Sequence, residues 1–529
     1  MTGFDVVIVG AGAAGCLLAK RLSADPARRV LLLEAGVREP PIASRMPGSW
    51  ISLINSEVDW GYHTVPQARC FGRRLVWPRG KLVGGSGAIN ALIYMRGTPS
   101  DYDRWAGKGA NGWGWNDVLP WFKKTERNKR LAESPLHGAD GELCVDDVPV
   151  HDPAEHLWLE AAQQAGLPLN EDFNGGDQFG CGFFQAMMKN GERFSPADAF
   201  LTPIFDRPNL TVICSALATK IKFSGRKAIG IDYIHRGTVD RAHADEIVLA
   251  GGSINSPHLL MLSGVGPAAE LKRVGISPIF DLPGVGQSMQ DHVNCIVTFA
   301  TDKKIGLGGM SEGDFLAAAQ EWETSRTGPL SNPWSSTGGH GKSRPDLTEP
   351  DLQLYGVISA NRDHARYFAA TPGMSFYSIL QRPKAVGTLT IRSADPLMPP
   401  ALDPAYFSDS EGADLATMID GVRLSRKIAA QEALSFLNLR EITPSLEART
   451  DEEIEIFVRG HCQSIYHPTS TCRMGLDAMA VVDPATLKVH GAVSLRVADA
   501  SVFPDLVASN ICASVFMVAE RAASFMTQQ

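Results

Sequence analysis

Phe4 to Val9 reads Phe-Asp-Val-Val-Ile-Val, an apolar and largely β-branched run that stops at the glycines Gly10, Gly12 and Gly15. A short apolar run bounded by glycine predicts a buried strand, and Ala13 to Leu22 behind it predicts a helix. A second run, Arg29 to Leu33, predicts another strand, ending at Glu34 and Ala35. Asn209 to Lys222 and Ala228 to His235 alternate in polarity and predict one antiparallel meander. Ala244 to Ala250 predicts a further buried strand that meets Gly251-Gly252 and an apolar helical stretch. Helical spacing recurs in His151 to Ala165, in Gly412 to Ala430 and in Ile511 to Phe525. Gly387 to Ile391 predicts a short strand, and the Pro-, Gly- and Ser-rich stretch Pro329 to Pro350 predicts a long loop.

The pattern strand, glycine turn, helix has a chemical meaning. Glycines let the backbone approach a pyrophosphate, whose charge sits on the helix N-terminus. An acidic residue at the end of the second strand, here Glu34, suits a ribose hydroxyl and repels a 2′-phosphate. A second glycine-rich stretch, Trp77 to Asn90, contains Gly84-Gly85-Ser86-Gly87. Composition alone allows it to be a surface loop or a backbone that passes close to a large ligand. Ser195-Pro196 reads as an N-cap and first helical residue. The cluster Trp105, Trp113, Trp115 and Trp121 reads as a packed structural corner rather than a substrate cage.

Composition narrows the picture. The chain has 529 residues, 44% of them hydrophobic and 20% charged, which predicts a soluble globular protein of more than one domain. A formal charge of −8 argues against a nucleic-acid partner. No stretch resembles a transmembrane span, and no basic, apolar leader opens the chain. The nine cysteines are scattered and lack a CxxC pair, and the thirteen histidines include no HExxH. Neither a disulfide framework nor a metal site is expected, and a reducing, cytoplasmic setting fits best.

Five blocks in order resemble the glucose–methanol–choline (GMC) oxidoreductases: Gly10-Ala-Gly-Ala-Ala-Gly15 with Glu34, Arg79 to Asn90, Gly252 to Gly266, Tyr466 to Gly475, and Val497 to Ser501 leading to Ser509-Asn510. Bacterial choline-dehydrogenase-like and alcohol-oxidising members look nearest. The resemblance implies an α/β fold (α+β overall): a Rossmann-like FAD-binding domain beside a domain with a six-stranded antiparallel sheet backed by helices. It assigns 1–154, 191–290 and 460–529 to the FAD-binding domain, and 155–190 and 291–459 to the substrate domain. It implies that Gly10, Gly12, Ala13, Ala14 and Gly15 meet the pyrophosphate and that Glu34 and Ala35 flank the adenosine ribose. Val83, Gly84, Gly85 and Ser86 would line the diphosphate and ribityl chain, and Asn90, Ala91 and Leu92 the isoalloxazine. Ala218 would meet adenine, Asp499 and Ala500 the ribityl and pyrophosphate, and Asn510 and Ile511 the pyrimidine side. Ile89 stands where some members attach the flavin through a histidine, so FAD is expected to be noncovalent. Ser470 stands where relatives commonly carry glycine.

The implied reaction oxidises a primary alcohol to the aldehyde, with hydride passing to flavin N5 and oxygen or a quinone-type molecule accepting the electrons. His467 takes the family's catalytic position as base, since a neutral imidazole is suited to a hydroxyl proton. Asn510 takes the partner position, where it orients the substrate oxygen but cannot be a base. Ser509 or Asn510 is also placed to cap the last helix. Two other readings remain: a hydroxynitrile lyase-like FAD protein without redox chemistry, and a nicotinamide enzyme or degenerate FAD-binding module. Glu312 and Trp322 are the candidates for a cage around choline.

Overall fold

The computed structural model describes residues 3–362, 367–368, 371–445 and 447–527. Two seven-stranded sheets dominate it. The first has a parallel centre. Phe4–Val9 pairs in parallel with Val30–Leu33 on one side (Val7 opposite Leu31) and with the end of Thr238–Leu249 on the other (Val7 opposite Ile247). Leu210–Ile213 extends this sheet beside Val30–Leu33, and Leu495–Val497 pairs with Ile247 to Leu249. The central strands are almost wholly buried, as strands covered on both faces must be.

Helix α1 (Ala13–Leu22) lies on this sheet, buried along most of its length from Ala14 to Leu22. Helix α2 (Gly252–Leu262) follows the strand Thr238–Leu249 and is buried nearly all round. Helix α3 (Ala413–Ala429) backs the second sheet, where Ser378 Oγ donates to the Gly421 carbonyl at 2.8 Å. Helix α4 (Cys512–Thr527) packs against α1. The tryptophan corner is packed as expected: Trp105 and Trp113 are buried, and their indole N–H groups donate to the carbonyls of Asp505 and Pro484.

The second sheet is antiparallel and six positions wide: Arg440–Thr443, Val293–Ala300, Gly373–Leu380, Leu352–Val357, Thr337–Gly341 and Gly180–Phe183. Gln463–Ser464 shares the side of Val293–Ala300 that Arg440–Thr443 also uses, which gives seven strands where six were expected.

Two readings of the pattern are corrected. Asn209 to Lys222 is not one strand of a meander. Ser215, at φ +52°, breaks it, so Leu210–Ile213 joins the parallel edge and Ala216–Ser224 begins the meander. The stretch Pro329 to Pro350 is not all loop, since Thr337–Gly341 is an interior strand of the second sheet. Its glycines are there because neighbours leave no room: a Cβ on Gly338 would lie 2.1 Å from the Leu354 carbonyl oxygen, and one on Gly339 2.1 Å from that of Gly180.

Candidate functional site

The parallel strands of the first sheet end together, where an open α/β sheet binds its ligand. Val9 gives way to Gly10, Leu33 to Glu34, Leu249 to Ala250 and Gly251, and Val497 to the stretch before Asp499. These ends form one side of a cavity of ≈ 520 Å³ whose opposite side comes from the second sheet. Gly10 sits at φ +102°, and a Cβ there would lie 2.6 Å from the Ala250 carbonyl oxygen. Gly12 faces Gly85, whose own Cβ would come within 2.7 Å of the Gly12 Cα. The two glycine turns, far apart in sequence, therefore touch and leave a backbone-lined cradle. Helix α1 begins in that cradle with no side-chain cap and no acid in its first turn, so its N–H groups remain available to an anion.

Gly10, Gly12, Ala13, Ala14, Glu34, Ala35, Gly85, Ser86, Asn90, Ala91, Leu92, Ala218, Asp499, Ala500, His467, Asn510 and Ile511 all line the cavity. Three expected contacts stand outside its lining. Gly15 packs helix to strand: a Cβ would fall 1.8 Å from the Gly10 carbonyl oxygen. Val83 and Gly84 lie behind the wall, their N–H groups donating to the carbonyls of Val37 and Ala11. Asn510 does not act as the cap of α4; its amide is engaged by Gln353, Tyr355 and His467.

Glu34 is buried and accepts from the N–H groups of Ala11 and Gly36, both at 2.8 Å. Burial pushes its carboxyl up to about 7. Asp499 accepts from Gly252 N–H (2.8 Å) and from the hydroxyls of Ser256 and Ser501 (2.6 Å each), tying the start of α2 to the strand end before it. Arg193, buried, clamps Asn90 by donating to its side-chain oxygen (2.7 Å) and its carbonyl (2.6 Å).

At the other end, His467 follows Tyr466, whose φ of +72° turns the backbone sharply. Its N–H donates to Asp291 at 2.7 Å, and Asp291 also accepts from the Ser464 and Tyr406 hydroxyls. Its ring Nδ1 lies 2.9 Å from Nδ1 of His292, whose Nε2 lies 3.1 Å from the Gln381 carbonyl. Burial pushes His292 down to about 4. Burial first, then His292 and Arg79, hold His467 well below the ordinary imidazole value. Both rings are therefore neutral, and the tautomers follow. A carbonyl only accepts, so His292 carries its proton on Nε2 and offers a lone pair at Nδ1. His467 then donates from Nδ1, which leaves its Nε2 lone pair free toward the cavity. Asn510 Nδ2 sits 3.4 Å from that nitrogen, consistent with a donor facing a lone pair. The amide of Asn510 is itself fixed: Gln353 Nε2 donates to its oxygen (3.1 Å), and its Nδ2 donates to the Tyr355 hydroxyl (3.1 Å).

Sequence reasoning missed Asp291, His292, Gln353, Tyr355 and Arg193. A lone His or Tyr in a weakly patterned stretch carries no signal of its own. The proposed cage does not form: Glu312 is exposed on a surface helix, and Trp322 is buried with Met46 and Leu330 outside the cavity lining.

The likeness to known proteins is extensive. The chain is 41% identical over 532 residues to alcohol dehydrogenase [acceptor] of Pseudomonas putida, covering 99% of this chain and 96% of that protein. It is 40% identical over 535 residues to the mitochondrial choline dehydrogenase of Mus musculus, covering 99% and 89%. An FAD-dependent oxidoreductase from Chaetomium thermophilum superposes with a TM-score of 0.88 at 26% identity, covering 99% of both chains. Family models for the two parts of a GMC oxidoreductase match residues 4–294 and 383–519, which between them hold both glycine turns, His467 and Asn510, and the chain belongs to the GMC oxidoreductases.

Proposed function

We propose that the protein is an FAD-dependent oxidoreductase that oxidises a primary alcohol to the aldehyde, with His467 as the base. The observation that carries this reading is the hydrogen-bond chain from the Gln381 carbonyl through His292 to His467, which leaves an unprotonated Nε2 facing the cavity beside Asn510. The cradle fits the cofactor. The uncapped start of α1 with Gly10, Gly12, Ala13 and Ala14 suits the pyrophosphate, and Glu34, whose carboxylate borders the cavity and is held by backbone N–H groups, suits the ribose diol. Ala35 and Ala218 border the adenosine end. Gly85, Ser86, Asp499 and Ala500 suit the diphosphate and ribityl chain, and Asn90, Ala91, Leu92, Asn510 and Ile511 the isoalloxazine.

Bound flavin supplies an acceptor for the hydride of the carbinol carbon. The protein supplies the rest. His467 Nε2 takes the hydroxyl proton, and Asn510 Nδ2 donates to the substrate oxygen and orients it. The His292 lone pair at Nδ1 holds the His467 proton on Nδ1, which keeps Nε2 open to the hydroxyl proton. FAD is held noncovalently, since Ile89 offers no nucleophile. Electrons pass on to oxygen or a quinone-type acceptor. Nine free thiols suit the reducing cytoplasm. Among the described residues, no helix is long and apolar enough to cross a membrane.

The test is anaerobic bleaching of the flavin by a panel of alcohols, beside His467→Ala. Bleaching by one class, slowed about 10²- to 10⁴-fold in the variant, is expected of a lost general base. Equal bleaching of both proteins would remove His467 from its role. Readmitting air then separates oxidase from dehydrogenase.

A further inference from the structure

The relatives leave the substrate undecided, since an alcohol dehydrogenase and a choline dehydrogenase are almost equally similar to this chain. The cavity is more decisive. A quaternary ammonium group cannot donate a hydrogen bond, so a protein recognises it with aromatic faces and a carboxylate. Among the described residues, the carboxylates lining the cavity are Glu34 and Asp499, and both belong to the first sheet's strand ends, where the nucleotide cradle lies. The end beside His467 is walled by Ile93, Tyr355, Val357, Tyr377 and Ile465, with Asn361 as a neutral polar group. Asp291 lies behind the histidine, is occupied by three donors and does not line the cavity. A charge that does line it is positive: Arg79, which donates to the Tyr466 carbonyl. Tyr355 and Tyr377 offer ring area, their centroids 6.0 Å apart, but that area serves an alkyl or aryl group equally well.

We propose that this cavity takes an uncharged primary alcohol with an apolar alkyl or aryl tail and discriminates against choline-type substrates, for whose cation the described residues beside His467 offer no carboxylate. The inference rests on the alcohol-oxidation reading above and narrows it. Asn361 marks the place where specificity is set. It is buried, its Nδ2 faces the Tyr377 hydroxyl at 3.3 Å, and its Oδ1 has no hydrogen-bond partner among the described residues.

The test compares choline with 3,3-dimethylbutan-1-ol, which has the same shape with carbon in place of the charged nitrogen. FAD-loaded protein is mixed anaerobically with each, and flavin absorbance is followed. The neutral alcohol is expected to reduce the flavin with a second-order rate constant at least about tenfold larger, and Asn361→Asp to move that ratio toward choline by about tenfold or more. Choline reacting as fast as its neutral twin in the natural protein would overturn the proposal, whatever the variant does. Failure of the alcohol reading gives a different result, in which neither compound, nor benzyl alcohol, nor octan-1-ol bleaches the flavin. Binding measured by flavin difference spectra then decides: the inference stands if the neutral compound binds at least about tenfold more tightly, and falls if it does not.

Discussion

A histidine's usefulness as a base depends on which nitrogen holds its proton, and here that is decided by a residue 175 positions away. Both imidazoles are pushed down by burial, so the sign of the pH effect is clear: on acidification through about 6.5, the ordinary histidine value, His467 stays neutral and competent. The flavin-reduction rate plotted against pH is therefore expected to be level through that region and to fall only well below it; an inflection at 6.5 would contradict the assigned state. His292→Ala removes the acceptor that holds the His467 proton on Nδ1. It is expected to slow reduction by roughly 10- to 100-fold with substrate affinity little changed, and to move the acidic limb of the same pH profile. A merely structural role would leave that limb in place. His467 and Asn510 were legible in the sequence because they stand inside ordered blocks. His292 and Asp291 were not, because pairing across the fold leaves no spacing to read. Ser470 shows a constraint visible only in part from the sequence: its φ of +72° lies in the left-handed region, where glycine is the less strained residue. Ser470→Gly is expected to raise unfolding stability by ~1 kcal/mol in denaturant titration.

At the level of elements, the first strand, glycine turn and helix were read with their bounds nearly intact, because buried parallel strands are apolar throughout and glycine marks their ends. The individual glycines were less legible. Gly10 and Gly12 border the cavity, whereas Gly15 lets α1 rest on the Gly10 carbonyl. Gly15→Ala should therefore cost about 3 kcal/mol or more and abolish flavin retention together with stability. Thermal unfolding and the flavin content of the purified variant check this; a stable, colourless Gly15→Ala protein would return Gly15 to the cofactor. Thr337–Gly341 was invisible for a related reason. Strand propensities score glycine as a breaker, while in this sheet the tightness of its neighbours demands it.

The molecule as a whole is two sheets that share one cavity, and the cofactor reading makes FAD part of the link between them. Stripping the flavin is expected to lower the unfolding temperature, and adding it back at ~100 times its dissociation constant to restore ~2.7 kcal/mol. Acid precipitation should leave all the flavin in the supernatant, the result that noncovalent attachment requires; colour in the pellet would contradict it. The first sheet was largely legible from the sequence. The second was legible only through the resemblance, which gave its antiparallel, helix-backed form, since its strands are scattered from Gly180 to Ser464 and its cavity face is recognisable only once they are assembled.

That one cavity is lined by residues from Val9 to Val515 has a consequence for how the protein is made. A chain leaving the ribosome has its nucleotide cradle half built once α1 has been made. The wall formed by His467, Asn510 and α4 is made long after that cradle. A chain that still lacks α4 has no finished flavin site, so flavin loading follows the synthesis of α4.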